Sequence, residues 1–542
     1  MTEGRRLITQ MIIGGMTQYL AKVQGMPETA IKTLETIIRN FAWSGENRPT
    51  ISMAHMLNTI NKGGKKVLDI QVRNEAIQLT WLQAYLKLDD SRPTWAFVAD
   101  AIFSNDVPGE LKTLALNPNA RINQLLQTWH SHTKNANRKD DDPPNIPQDL
   151  KDMIKVGKKH GVRLEAIHPT PEVRAEMPAI WHNQTKVLEK PDILGDKHGK
   201  CIRDKHKVRT LRDIMELSEN VPRNHKKNKK CKCTKCSSIR RTTAGKCKHP
   251  NKCIERAATL LHSMEDKWNP TLLLPTNFHT NPKPEDIGPT EDPDTSETTH
   301  TLDPFTDQKT LKDCFRVFTD PGPPPKTTTE RAPRTEALNT PQITIYTDGS
   351  CTDNGKATAR AGSGIWYGDN DPRNTSVRVP YTHQSNQTGE LYAVLHALQT
   401  NPPDQAILIK TDSMYVVQGL TKNAENWENQ GWMHAKHANL FKNITACIRY
   451  RSNSTKITWV KGHNGTHGNE EADKLAGEGA KLDTLPNAPP EPTPPVNTIP
   501  SGAKLTSLSQ KDFYYGIKKA TPPHAAKKHR KQPGQNPGVR RN

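Results

Sequence analysis

Two short apolar strands in the second half of the chain each run into an aspartate. The first is ITIYT before Asp348, and the second is AILIKT before Asp412. Ligand sites in open α/β sheets gather where strands end and helices begin. Two strands that each deliver a carboxylate at that point predict adjacent central strands with one shared site. This pair constrains the fold more than any other feature of the sequence.

Two predicted helices carry further acids toward the same place. In NQTGELYAVLHAL the apolar residues recur with the period of one buried helix face, at Leu391, Val394, Leu395 and Leu398. Glu390 precedes this face, at a rim from which a carboxylate can point from helix to sheet. In KITWVKGHNGTHGNEEAD a strand over 457–460 meets a glycine loop with His463, and a helix that begins near Asn469 carries Asp473.

Four carboxylates brought to one site repel each other strongly unless cations neutralise them. Ligand sets made only of oxygen favour Mg²⁺ or Mn²⁺. Two such ions about 4 Å apart can activate a water and stabilise the leaving oxygen in phosphodiester hydrolysis. Taken singly, Asp348 would be a turn residue and Asp412 a helix cap. The joint spacing of all four acids instead favours a two-metal catalytic site.

The peptides YTDGS, GEL, TDS and WVKGHNGTHGNEEAD resemble, in order and spacing, the four signatures of type 1 ribonuclease H. The resemblance covers residues 342–480, about a quarter of the chain. It implies an α/β fold with a five-stranded mixed sheet flanked by helices. It also implies an endoribonuclease that hydrolyses the RNA strand of RNA–DNA hybrids and leaves 5′-phosphate and 3′-hydroxyl ends.

The same resemblance implies a role for each site residue. The carboxylates that match those holding two Mg²⁺ or Mn²⁺ ions are Asp348, Glu390, Asp412 and Asp473. His463 matches a mobile loop histidine that assists proton transfer or product release. Asn386 matches a residue that contacts the hybrid in the minor groove, and Cys351 matches a residue beside the DNA phosphate.

A second group of reactive side chains lies in CKCTKCSSIRRTTAGKCKHPNKC, within a basic region over residues 201–270. Paired thiolates with a nearby imidazole suit tetrahedral zinc, and clustered cysteines without a secretion signal favour metal over disulfides. We expect the ligands to be Cys233, Cys236, Cys247 and Cys253, with Cys231 and His249 as competitors for the four positions. One alternative is a two-metal cluster, and the other is a disordered basic segment with reduced thiols.

Residues 7–88 resemble the segment just beyond the polymerase domain in reverse transcriptases of non-LTR retrotransposons. The resemblance rests on YLAKVQGMP, IIRNFAWSG, NKGGKKVLDI and RNEAIQLTWLQAYL. The sequence has no Y/F-x-D-D polymerase motif, so the resemblance implies a retroelement-derived chain that kept the nuclease and lost the polymerase. The alternative is an unrelated helical domain.

Composition argues against one continuous core. Only 33% of the residues are hydrophobic and 42 are proline, so we expect small domains joined by linkers. The predicted order is a helical region over 1–90, a mixed and partly disordered region over 91–200, the basic cysteine-rich region over 201–270, a disordered linker over 271–341, the ribonuclease H domain over 342–482, and a Pro-rich segment, short helix and basic tail over 483–542.

The formal net charge of +20 favours a polyanionic partner. We expect an RNA–DNA hybrid at the catalytic domain, and other nucleic acid on the basic segments. No apolar run approaches the ~20 residues of a membrane span, and MTEGRRLITQMIIGGMTQYL lacks the long apolar core of a signal peptide. We therefore expect an intracellular protein, nuclear or cytoplasmic, without membrane binding. The rival hypothesis is a retroelement remnant that binds nucleic acid without turnover.

Overall fold

The computed structural model of the chain describes residues 2–43, 52–60, 63–104, 146–177, 197–208, 210–243, 245–272, 289–291, 298–302, 309–322, 331–332, 341–483 and 498–521. The predicted basic tail after 521 and most of the Pro-rich segment after 483 lie outside the described residues. So do parts of the regions predicted over 91–200 and 271–341.

The described α-helices are α1 (Thr2–Ile8), α2 (Gly15–Gln24), α3 (Glu28–Ala42), α4 (Met53–Leu57), α5 (Ile70–Tyr85), α6 (Thr94–Ser104), α7 (Gln148–Lys159), α8 (Pro171–Glu176), α9 (Lys197–Asp204), α10 (Leu211–Ser218), α11 (Thr234–Thr242), α12 (Pro250–His262), α13 (Asn386–Thr400), α14 (Met414–Gln418), α15 (Ala424–Asn429), α16 (Ala438–Tyr450), α17 (His467–Lys481) and α18 (Gln510–Ala520). A π-helical turn, Thr9–Gly14, joins α1 to α2. None of the described helices is both long enough and apolar enough to cross a membrane.

The described strands are β1 (Arg163–Leu164), β2 (Pro289–Glu291), β3 (Thr298–Leu302), β4 (Phe315–Val317), β5 (Ile343–Thr352), β6 (Arg360–Trp366), β7 (Thr375–Arg378), β8 (Ile407–Thr411), β9 (Thr455–Trp459) and β10 (Ala503–Lys504). They form a seven-stranded sheet in the order β2-β3-β9-β8-β5-β6-β7 and a three-stranded sheet in the order β1-β4-β10.

The chain divides into two compact units, and the first combines residues up to Leu82 with those from Ser509 onward. Its described part is helical, as the sequence predicts for the N-terminal region. A small apolar core, Ile38, Met56, Val67 and Ile70, holds these helices together. Within this unit the hydroxyl of Tyr514 on α18 accepts a hydrogen bond from the backbone N–H of Asp69, at 3.1 Å.

The second unit, residues 83–508, contains the predicted mixed sheet. Strands β5, β8 and β9 run parallel, and β6 and β7 continue antiparallel from β5. These five strands confirm the expected ribonuclease H-like architecture. The predicted apolar face of α13 is buried, since Leu391, Val394 and Leu395 are fully buried, and Ala393 and Ala397 on other sides of the helix are fully buried as well. The core of this sheet therefore follows directly from the apolar pattern.

Two strands that the sequence did not predict extend the sheet. β3 pairs antiparallel with β9, with Thr299 opposite Thr458 and Leu302 opposite Thr455, and β2 pairs with β3. These strands lie in the segment expected to be a disordered linker, so that expectation does not hold for them. The physical reason is that β9 would otherwise be an edge strand with unpaired backbone groups, which a threonine-rich segment can satisfy.

A buried ion pair fastens two helices of this unit. The guanidinium of Arg449 on α16 donates to both carboxylate oxygens of Glu428 on α15, each at 2.7 Å, and to the carbonyl of Thr498 at 2.8 Å. Arg449 is 1% exposed and Glu428 is 5% exposed. Such a pair is expensive to break because the remaining charge stays buried without its partner.

We expect Glu428→Leu to lower the free energy of unfolding by about 3 to 5 kcal/mol, because it leaves the Arg449 guanidinium buried without its carboxylate partner. Adding Arg449→Met should recover most of this loss, because an apolar pair of similar volume carries no desolvation cost. The check is a double-mutant cycle on the midpoint of urea unfolding, with the exposed pair Asp353–Lys356 as control. A double variant as unstable as the sum of both single changes would contradict this reading.

Candidate active site

Asp348 and Asp412 lie on neighbouring parallel strands, as their spacing predicts, but β5 does not end at Asp348. It continues to Thr352, with Asp348 opposite Gly364 of β6. The parallel pairing of β5 with β8 extends only as far as Tyr346. Beyond Tyr346, no described strand pairs with β5 on the β8 side. On its other side β5 stays paired with β6 as far as Thr352. The carboxylate of Asp348 therefore stands where β8 has ended, although its own strand has not.

Glu390 lies in the second turn of α13, and a close helix–strand contact brings it to the sheet. The Ser385 hydroxyl accepts the backbone N–H of Thr388 at 3.2 Å and so caps the helix. A Cβ placed on Gly349 of β5 would overlap the backbone nitrogen of Glu390. Glycine at 349 is thus what allows α13 to approach β5 closely enough for Glu390 to reach Asp348.

Asp348, Glu390 and Asp412 converge, with one carboxylate oxygen from each within 4.8 Å of the others. Burial raises the pKa of Asp348 to about 7, and the charges of Asp412 and Asp473 add to this effect. Burial also holds the pKa of Glu390 well above its usual range, together with the charges of Asp348 and Asp412. The main charges acting on both groups are carboxylates.

The donor set of this cluster fits a divalent cation. Its atoms are all oxygens, and the buried Oε2 of Glu390 has no hydrogen-bond partner among the described residues. The Oδ1 of Asp348 accepts the backbone N–H of Gly349 at 2.7 Å, which leaves its second oxygen for another ligand. Hard oxygen ligands of this kind suit Mg²⁺ or Mn²⁺, and a cation would remove the repulsion that raises the two pKa values.

Asp473 stands beside this cluster and outside its 4.8 Å core. It lies in the second turn of α17 and is partly buried. Its charge contributes to the raised pKa values of Asp348 and Glu390, which places it within electrostatic reach of both. The structure thus brings together three of the four predicted carboxylates and sets the fourth at the rim.

Two residues without a predicted role bear on Asp412: Asn469 donates a hydrogen bond to it, and Gly462 leaves room for it. The side-chain amide of Asn469 donates to Oδ2 of Asp412 at 3.2 Å, and Asn469 is 2% exposed. A Cβ on Gly462 would overlap that same oxygen. The only sequence signal was their position in KGHNGTHGNEEAD, on either side of the loop that carries His463.

The three other predicted site residues lie on the elements that carry the carboxylates or in the loop before α17. His463 is exposed and has a left-handed backbone, with φ 51°. Asn386 is the exposed first residue of α13. Cys351 is partly buried in β5, where burial raises the pKa of its thiol. His463 follows Gly462, whose Cβ position lies against the Asp412 carboxylate, so the loop that carries this histidine approaches the cluster.

The cysteines do not form the single zinc site that we expected. Cys233 and Cys236 lie with His225 and Cys231, whereas Cys247 and Cys253 lie with Cys201 and His206. His249 belongs to neither group. The reason is that Cys233 and Cys236 open α11 while Cys253 lies within α12, and each pair meets partners from a segment earlier in the chain. The sequence signal for these two groups is one histidine in each earlier segment, His206 and His225.

Comparisons with known proteins place the carboxylate cluster in a named family. Residues 340–481 match the family model described as RNase H. Ribonuclease H1 of Homo sapiens is 35% identical over 144 residues, which cover 26% of this chain and 50% of the human protein. The chain thus spans about half the length of that relative, and the same holds for the mouse and rat proteins.

Bacterial relatives are covered almost completely. Ribonuclease H of Nitrobacter hamburgensis is 32% identical over 155 residues, covering 27% of this chain and 95% of that protein. Ribonuclease H of Pectobacterium atrosepticum is 34% identical over 149 residues, with 93% of that protein covered. Among solved structures, the type 1 enzyme LC9-RNase H1 aligns over 27% of this chain and 75% of its own, with 26% identity and a TM-score of 0.23.

Proposed function

Because the chain belongs to the ribonuclease H family, we propose that residues 340–481 form an endoribonuclease that hydrolyses the RNA strand of RNA–DNA hybrids. The observation that carries this proposal is the convergence of Asp348, Glu390 and Asp412 within 4.8 Å. Such a cluster destabilises a fold unless cations neutralise it, and burying two of its three acids, Asp348 and Glu390, has no structural benefit.

The residues that would hold divalent ions are Asp348, Glu390 and Asp412, with Asp473 at the rim. When bound, two Mg²⁺ or Mn²⁺ ions supply a nucleophile at neutral pH and stabilise charge on the leaving oxygen. The 5′-phosphate and 3′-hydroxyl products follow from attack on the phosphorus with the 3′ oxygen as leaving group.

The chain's own residues orient and complete this site. The amide of Asn469 orients the Asp412 carboxylate, for which Gly462 leaves room, and the backbone amide of Gly349 orients that of Asp348. We propose that His463, exposed at the loop next to Asp412, moves a proton at the departing oxygen. Asn386 at the start of α13 would contact the hybrid.

We also propose that basic segments outside the catalytic domain add affinity for nucleic acid. Many lysines around the cysteine groups are exposed, among them Lys226, Lys227, Lys229 and Lys230. Exposed lysines contact phosphates without sequence preference, so they would strengthen hybrid binding without changing its specificity. The enzyme would act in the nucleus or cytoplasm, wherever such hybrids form.

For the origin of the chain we propose descent from a non-LTR retrotransposon. The support is the resemblance of residues 7–88 to the segment that follows the polymerase in those reverse transcriptases. The helices α1 to α5 are compatible with that resemblance. They are equally compatible with an unrelated helical unit, and sequence comparison limited to residues 7–88 is the measurement that separates the two.

The test of the nuclease is a cleavage assay with the full chain on end-labelled 20-base-pair substrates. We expect Mg²⁺-dependent cutting of the RNA strand in a hybrid, and no cutting of the DNA strand, duplex DNA or duplex RNA. Omitting Mg²⁺ should abolish cleavage and adding it back should restore it. Tight binding of the hybrid without any cleavage would contradict the proposal and favour a nucleic-acid-binding remnant.

A further inference from the structure

Two groups of sulfur and nitrogen ligands lie outside the carboxylate site. The Cys201 group consists of Cys201, His206, Cys247 and Cys253, and the His225 group consists of His225, Cys231, Cys233 and Cys236. In each group, one ligand atom per residue lies within 4.8 Å of all the others. We propose that each group binds one Zn²⁺ through three thiolates and one imidazole, so that the chain carries two separate structural zinc ions. This inference does not depend on the nuclease activity.

The distances in the His225 group are those of a zinc tetrahedron. With Zn–S near 2.3 Å and Zn–N near 2.0–2.1 Å, the edges of the tetrahedron are about 3.6 Å between N and S and about 3.8 Å between sulfurs. The Nδ1 atom of His225 lies 3.3 Å from the sulfur of Cys233 and 3.5 Å from those of Cys231 and Cys236. One nitrogen thus faces three sulfurs at the required spacing.

The Cys201 group has the same dimensions. The sulfurs of Cys247 and Cys253 are 3.8 Å apart, and Nε2 of His206 lies 3.2 Å from the sulfur of Cys247. A disulfide would need about 2.05 Å between sulfurs, so this pair is not an oxidised bridge. All nine cysteines of the chain are free. The spacing therefore fits metal coordination and excludes pairing within the group.

Backbone amides around the His225 group favour ionised sulfur. The N–H of Lys226 points at the sulfur of Cys231, at 3.2 Å, and the N–H of Cys236 points at that of Cys233, at 3.4 Å. The guanidinium of Arg240 donates to the carbonyl of Cys231 at 2.7 Å and so holds the loop. Hydrogen bonds of this kind orient metal ligands and lower the cost of the thiolate form.

Burial gives the metal a structural purpose. Five of the six cysteine side chains in the two groups are at most 4% exposed, and the sixth, Cys201, is partly buried. The helices concerned are short: α9 has 8 residues, α11 has 9 and α12 has 13. Helices of this length are marginal by themselves, and zinc binding contributes folding free energy outright in small metal-stabilised regions. One ion would hold α9 to α12, and the other would close the loop before α11.

The first measurement is metal content of the full chain purified without chelators. We expect two zinc ions per chain by elemental analysis, with an X-ray absorption signature of three sulfurs and one nitrogen around each ion. N-ethylmaleimide should modify only thiols outside the two groups until a mercurial reagent or a strong chelator releases the zinc, whereupon six more become reactive. Both the zinc content and the thiol reactivity are measured on the unchanged chain, so the result does not depend on whether a variant folds.

Variants then assign the ions to the groups. Cys236→Ser should lower the zinc content to one ion, Cys253→Ser should do the same, and the double change should abolish it. The matched controls His249→Ala and Cys351→Ser should keep two ions. Asp348→Asn should also keep two, which separates a failure of the nuclease proposal from a failure of this one. One zinc ion in the unchanged chain, or no zinc with the six thiols of the two groups reactive, would overturn the proposal.

Discussion

Asp348→Asn is expected to reduce cleavage of the RNA strand by on the order of 1000-fold, which corresponds to about 4 kcal/mol of lost transition-state stabilisation. Asparagine keeps the shape of the side chain and the acceptor for the N–H of Gly349, but it removes the charge that a divalent ion needs. Folding should survive, and in metal-free buffer the variant should melt no lower than the unchanged chain. The physical reason is that one of three mutually repelling carboxylates is gone.

The measurement is single-turnover cleavage with saturating enzyme, so that binding and chemistry are separated. Hybrid affinity should change little, because the groups proposed to bind the hybrid, Asn386 and the exposed lysines, lie outside the carboxylate cluster. Glu478→Gln is the matched control, since it neutralises an exposed acid on the same helix as Asp473. If Asp348→Asn cleaves at the rate of this control, the assignment of the site is wrong.

Gly364→Ala is expected to lower the free energy of unfolding of the catalytic unit by about 3 kcal/mol or more. Gly364 is the cross-strand neighbour of Asp348, and a Cβ there would overlap the carbonyl of Ala472 and approach the nitrogen of Ala476 to 2.6 Å. Both are backbone atoms of α17, so no side chain can move aside. The helix must shift, and Asp473, the next residue after Ala472, must shift with it.

The matched control is Gly477→Ala on the same helix. A Cβ at this position meets nothing within 4 Å, so the change should raise helix stability by about 0.5 to 1 kcal/mol. The measurement is hydrogen exchange of the α17 amides together with the midpoint of urea unfolding. The two glycine variants should move in opposite directions. Equal protection of α17 in both would show that the close contact between β6 and α17 does not position this helix.

The parts of the fold that the sequence predicts are those whose signal is local. A short stretch of sequence is enough to predict each strand that leads to an aspartate. The same holds for the helix face of Leu391, Val394 and Leu395. The predicted end of β5 at Asp348 is wrong, because the strand that ends there is its neighbour β8, whereas β5 continues to Thr352. β8 stops pairing near Tyr346, and no property of ITIYTDGSC reports that. Three acids were brought together as expected, while the position of Asp473 at the rim depends on how α17 packs on the sheet.

The features that the sequence did not predict are those that depend on distant partners. β3 is a five-residue threonine-rich strand that pairs with the edge of β9, a partner far away in the sequence. The two cysteine groups were merged because spacing within one peptide cannot show that Cys201 and His206, or His225, fold back onto it. In both cases the missing information is tertiary contact, which local periodicity does not contain.

The added strand β3 also decides where the catalytic domain can be cut. The residues that match the family model are 340–481. Two partners lie outside this range: β3 (Thr298–Leu302), which pairs with β9, and the carbonyl of Thr498, which accepts a hydrogen bond from Arg449. A chain trimmed to 340–481 would expose a bare strand edge and leave a buried guanidinium short of one acceptor. Such an edge is a template for intermolecular β-pairing. The trimmed domain would therefore be prone to self-association, and recombinant work should retain residues 298–302, which pair with β9, and Thr498, which accepts from Arg449.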